Sequence, residues 1–158
     1  MIAIPDDTST TNEEGATKTV VKLFLNEFHD DTIEESLEYV LKSCLTPPNL
    51  ILAYAPTSKI QNGKFIWAED SEKAKSNFKV LWEKLREAKN AGKIAQLGIC
   101  DMDLETIKDV FQEEYDFTIL QINISTCCVV PPELTAFCKE RDIQLLTHSD
   151  PQGNKFED

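Results

Sequence analysis

Residues 49–55 read Asn49-Leu50-Ile51-Leu52-Ala53-Tyr54-Ala55. A strand with one wet face alternates apolar and polar side chains, whereas this run is apolar on both faces. Such a segment suits a parallel sheet covered on both sides. Before it, the β-branched and apolar run from Val20 to Phe28 predicts another strand. Between the two, Asp31-Thr32 opens a helix, with Thr32 and Glu35 spaced as a capping box. Ile33, Leu37, Val40, Leu41 and Cys44 form its apolar stripe, and Pro47-Pro48 stops it.

The same alternation continues downstream. After a longer loop from Pro56 to Asp70, in which Asn62-Gly63 predicts a small hairpin, a helix carries Phe78, Leu81, Trp82, Leu85 and Ala88 on one face. Gly92 is placed to end it. Ala95 to Cys100 is a strand. Asp103 caps a short helix with Leu104, Ile107, Val110 and Phe111 inward. Thr118 to Ile124 is a strand, Pro131-Pro132-Glu133 starts a helix with Leu134, Phe137 and Cys138 facing in, and Gln144 to His148 is the last strand. Strand and helix in strict alternation give an α/β protein with right-handed crossovers. Two arrangements satisfy that order: an open doubly wound sheet, or an arc of a barrel. No G-x-G-x-x-G follows a strand, so a Rossmann nucleotide site has no support.

Three regions are expected: a disordered polar lead-in over residues 1–19, one domain over 20–151, and a loose tail over 152–158. A chain of 158 residues suffices for one sizeable core. The formal charge of -12 argues against nucleic acid and anionic membrane surfaces as partners. No apolar run reaches the roughly 20 residues of a membrane span, and the start lacks the basic and apolar regions of a secretory signal. A cytoplasmic location is the expectation. Five cysteines, Cys44, Cys100, Cys127, Cys128 and Cys138, are odd in number and without C-x-x-C spacing. Neither a disulfide framework nor a zinc knuckle follows. His29 beside Asp30-Asp31 has no second histidine at ligand spacing, so no metal is expected.

The stretch from Gln121 through Cys127-Cys128, Pro131-Pro132 and Leu145-Leu146-Thr147-His148 to Asp150-Pro151 resembles the regulatory (modifier) subunits of glutamate–cysteine ligase. Weaker similarity reaches back to Lys22 through Ile51-Leu52-Ala53-Tyr54-Ala55-Pro56 and Gln96-Leu97-Gly98-Ile99-Cys100-Asp101. Modifier subunits are similar in turn to aldo-keto reductases, which fold as (β/α)₈ TIM barrels. The resemblance therefore implies a partial barrel of about five βα units, the third to the seventh. A piece or shortened form of a longer chain is expected. It also implies a non-catalytic regulator that binds the ligase catalytic subunit in a heterodimer, favours its use of glutamate and eases its inhibition by glutathione.

Reductase chemistry finds little support on the same pattern. The family's catalytic tyrosine and aspartate belong to a loop that would precede Val20, and no tyrosine occurs before Tyr39. Asn26-Glu27 stands where the catalytic lysine should close the first strand, while Lys22 lies at the strand's other end. Tyr54 replaces the catalytic histidine. Of the nicotinamide-binding positions, Cys100-Asp101 replaces Ser-Asn, Gln121 is retained and His148 replaces a stacking tyrosine. No cofactor is expected.

The candidate partner and redox residues are Cys127, Cys128, His148, Asp150 and Trp67. By themselves, Cys127 and Cys128 read as small buried hydrophobes; the resemblance implies instead that one faces the catalytic subunit and bridges to it under oxidising conditions. His148 and Asp150 close the last strand, on the face where barrels carry function. Trp67, with Phe65 and Ile66, forms either a partner-binding tip or a cover over the barrel mouth.

Overall fold

The computed structural model describes residues 2–6, 18–25, 30–54, 59–61, 64–66, 71–125 and 129–149. Along the chain these form β1 (Ile2–Asp6), β2 (Val20–Leu25), α1 (Asp30–Lys42), β3 (Asn49–Tyr54), β4 (Lys59–Gln61) and β5 (Lys64–Ile66). There follow α2 (Ser71–Asn90), β6 (Gln96–Cys100), α3 (Leu104–Phe111), β7 (Ile119–Asn123), α4 (Pro132–Glu140) and β8 (Gln144–His148).

The main sheet has the order β1-β2-β3-β6-β7-β8, and β4-β5 form a separate antiparallel pair. From β2 onward every neighbouring pair is parallel, so order in space follows order in the chain. A doubly wound sheet must reverse direction at a switch point. Here nothing reverses, and right-handed crossovers that step in one direction put all their helices on one face. That is the winding of a barrel, and it removes the open doubly wound alternative.

The side chains record the two faces. Leu23, Leu25, Leu50, Leu52, Tyr54, Leu97, Ile99, Leu120 and Ile122 share one core with Phe78, Trp82, Ile107, Phe111, Leu134 and Phe137 of the helices. Within it, Phe78 stacks on Trp82 at 5.6 Å and meets Phe111 edge-on at 5.5 Å, tying α2 to α3. Ile51, Cys100 and Ile119 form a second, smaller cluster with Val20, Ala53 and Leu146 against it. These residues alternate with the first set, so they face the concave, barrel-interior side. Gly98 lies on that side too, and a β-carbon there would stand 2.8 Å from Ile119 Cβ and 2.9 Å from its carbonyl oxygen. The glycine lets β6 and β7 approach closely.

Several sequence expectations shift. The lead-in over residues 1–19 is not wholly without structure: Ile2–Asp6 pair antiparallel with Val20–Phe24 as β1. The physical reason is the edge of β2, whose backbone groups need a partner; an outer strand also tolerates Pro5. The expected strand from Val20 to Phe28 is described over Val20–Leu25, and its last three residues lie outside the described residues. Helix α1 begins at Asp30, which sets Thr32 inside the first turn and not at the cap. Elsewhere the local signals act as read. Asp103 accepts from the Thr106 N–H at 2.8 Å, Gly92 takes φ 76 just beyond α2, and Pro132 opens α4. Among the described residues no helix is long and apolar enough to cross a membrane.

Candidate functional site

The carboxyl ends of the parallel strands carry a polar cluster on the concave face. Register fixes its members. Cys100, the last residue of β6, pairs with Gln121 of β7, and His148, the last residue of β8, pairs with Asn123. Gln121 and Leu146 are also paired, so His148, two residues beyond Leu146, points the same way. Asp101 follows with φ 57, a left-handed conformation rare outside glycine that aspartate tolerates better than most. Its N–H still bonds the Gln121 carbonyl at 2.9 Å, which extends the ladder while its side chain turns back over the strand ends.

The side chains converge. His148 Nε2 is 2.8 Å from Asp101 Oδ1 and 3.6 Å from Cys100 Sγ. The Cys100 thiol donates to Gln121 Oε1 at 3.7 Å. Lys22, from β2, is buried on the same face with its ammonium 5.1 Å from the Phe24 ring centroid, and its charge acts on the Cys100 thiol.

Charge and burial set the protonation states. Burial pushes the Cys100 thiol far up, the Asp101 charge adds to this, and Lys22 offsets it only in part. Cys100 is therefore a neutral thiol in the free chain. For Asp101 burial also acts upward, but the hydrogen bond from His148, the neighbouring Cys100 thiol and the charges of His148 and Lys22 outweigh it and hold the carboxyl below its usual range. The cluster thus pairs a fixed carboxylate with a histidine, and a buried thiol beside both.

Of the residues singled out from sequence, His148 stands in this cluster. Cys127, Cys128, Asp150 and Trp67 lie outside the described residues, as does Asn26-Glu27. The positions matched by resemblance to a nicotinamide site, Cys100, Asp101, Gln121 and His148, do come together. Lys22 is expected at the far end of its strand from the site, and its register with Ile51 and Gly98 agrees, yet it is buried on the concave face and its charge acts on Cys100. A lysine stem spans more than one step of the strand, so position along the strand does not fix where its charge acts.

The chain is placed among known proteins by two kinds of likeness. It matches the aldo/keto reductase family over residues 16–153. It is 30% identical to the human glutamate–cysteine ligase regulatory subunit over 142 residues, which cover 89% of this chain and 49% of that protein. It is 42% identical over 72 residues to the regulatory subunits of Bos taurus and Mus musculus, covering 45% of this chain and 26% of each. The chain thus spans about half the length of the human relative it matches.

Proposed function

This chain belongs to the aldo/keto reductase family, and from that premise we propose that it is a non-catalytic regulatory subunit of glutamate–cysteine ligase. It docks on the catalytic subunit in the cytoplasm and favours a conformation that uses glutamate well. The effect is a coupling free energy, which arises when docking is tighter to one conformation of the partner than to another.

The observation that carries the reading is the likeness to glutamate–cysteine ligase regulatory subunits over 89% of this chain, and the placement of its tyrosines agrees with it. Reductase chemistry in this family needs a tyrosine acid at the mouth of the barrel, opposite a hydride donor. This chain has three tyrosines. Tyr39 lies on the outer surface of α1, 77% exposed. Tyr54 is buried in the helix-facing core and donates to the Ala74 carbonyl at 3.0 Å. Tyr115 packs edge-on against Phe137 at 5.0 Å beside α4. None of them joins Lys22 and His148.

The cofactor site fares no better. A nicotinamide amide needs one donor and one acceptor turned outward to receive it. Here Gln121 Oε1 accepts from Cys100, Asp101 offers only acceptor oxygens, and His148 Nε2 is turned onto Asp101. The groups at these positions are thus engaged with one another, which supports the non-catalytic reading. In this reading the concave face is a retained scaffold, and Cys127 or Cys128 supplies a thiol that bridges to the catalytic subunit under oxidising conditions. Trp67 and Asp150 are further candidates for the docking surface.

Co-expression with a ligase catalytic subunit tests the proposal. Co-purification under reducing conditions is expected, with a lower glutamate requirement in the complex than in the catalytic subunit alone. A non-reducing gel is expected to show a mixed dimer that Cys127→Ser with Cys128→Ser abolishes. A folded chain that neither co-purifies nor shifts the glutamate dependence sinks the regulatory reading, and NADPH-dependent carbonyl reduction by the chain alone sinks its non-catalytic half.

A further inference from the structure

We propose that Cys100, Asp101 and His148 form a binding site for a divalent metal ion of the zinc class. Their ligating atoms lie within 4.8 Å of one another. They come from the end of β6, the left-handed residue beyond it, and the end of β8, so the sheet itself holds them in place. Groups turned inward on each other at these distances can share a small cation.

Zinc takes thiolate, imidazole and carboxylate ligands together, usually four in a tetrahedron. With Zn–S about 2.3 Å and Zn–N about 2.0 Å, sulfur and nitrogen stand about 3.5 Å apart; Cys100 Sγ and His148 Nε2 are 3.6 Å apart. Nitrogen and oxygen ligands stand about 3.3 Å apart around such an ion. The 2.8 Å His148–Asp101 pair therefore opens by only about half an ångström as the ion replaces the proton between them. The thiol proton leaves as well, and both go to buffer. A single nitrogen, Nε2, faces both the carboxylate and the thiol, so the ring needs no rotation. Gln121 Oε1 lies 3.7 Å from the sulfur and can meet the fourth position directly or through a water.

The soft sulfur and the imidazole select zinc or cobalt over magnesium and calcium, which take all-oxygen shells. Carboxylate and thiolate together match the charge of the ion. Lys22 acts in two directions, favouring the thiolate while opposing the dication, and its presence argues for a site weaker than an all-cysteine zinc knuckle. Sequence spacing hides the site, because Asp101 and His148 are 47 residues apart. The site needs no ligase partner, so the chain alone serves for the test.

The purified, reduced, metal-stripped chain is titrated with cobalt(II). One equivalent is expected to bind, giving d–d bands and a near-ultraviolet thiolate-to-cobalt charge-transfer band, both removed by added zinc. Cys100→Ser and His148→Gln are expected to lose the charge-transfer band, and Cys127→Ser with Cys128→Ser to keep it. X-ray absorption of the zinc-loaded wild type is expected to show one sulfur, with nitrogen and oxygen for the rest. This decides the matter even where Cys100→Ser does not fold. A folded wild type without the band, a band that survives Cys100→Ser, or a shell with two or more sulfurs overturns the proposal.

Discussion

Gly98 shows what one hydrogen in place of a methyl group does for this fold. Its α-carbon faces the concave side, where β6 closes on β7, and the nearest atoms to an added β-carbon include the Ile119 backbone oxygen at 2.9 Å. A flexible side chain would yield to such an intrusion, but a ladder carbonyl cannot. Gly98→Ala is therefore expected to destabilise the chain by about 1–3 kcal/mol, read as a lower urea midpoint with unchanged slope. Ile119→Ala is expected not to rescue it, because the carbonyl remains; full rescue would mean that the side chain alone is the obstacle. This constraint was not legible in the sequence, since a glycine inside a strand pattern does not say which neighbour approaches it. His148 was legible, because the last residue of a terminal strand falls at the barrel mouth whatever the details. Its pairing with Asp101 was not. That contact depends on a left-handed φ at Asp101, and nothing in the residue type dictates it.

At the scale of elements, the helices were read well because their signals are local. Phe78, Leu81, Trp82 and Leu85 repeat at helical spacing and are all buried in α2. Helix α3 has only eight residues, too few to persist by propensity alone. It relies on its packed face and on the Asp103 cap, whose carboxylate accepts from the Thr106 N–H at 2.8 Å. Asp103→Ala is expected to cost about 1 kcal/mol. Asp103→Asn or Asp103→Ser is expected to restore most of it, and thermal unfolding of the series checks both. Equal losses for Ala and Asn would show that the position acts through charge and not as a cap. Strand β1 was not read, for a reason that is not local. Ile2–Asp6 carry too short an apolar pattern to announce a strand, and what recruits them is the open edge of β2. The same logic explains why β3 was the clearest strand in the sequence. It lies between β2 and β6 with Leu50, Ile51 and Leu52 buried, so its need for apolar residues on both faces is written into its middle positions.

Over the whole molecule, these constraints grade from the middle of the sheet outward. Strands β3 and β6 have neighbours on both sides, and Leu50, Leu52, Leu97 and Ile99 are fully enclosed. Strands β1 and β8 are the two edges, and β8 holds its side chains only half-buried or exposed. Amide exchange measures local opening, and elements with few buried contacts open well below the global unfolding free energy. Amides of β3 and β6 are thus expected to exchange at least about tenfold more slowly than those of β8 under native conditions. Uniform protection across the sheet would show that β8 opens only with the whole fold. The gradient also bears on docking. If the proposed partner, a ligase catalytic subunit, binds this chain at the barrel mouth or the outer edge of β8, its binding closes what was open there and leaves β3 and β6 unchanged. Protection in the complex is then expected to rise in β8 and around Cys100 and Asp101. A rise confined to the helix-facing surface, around α2 and α3, would place the regulatory contact on the opposite side of the sheet from the polar cluster.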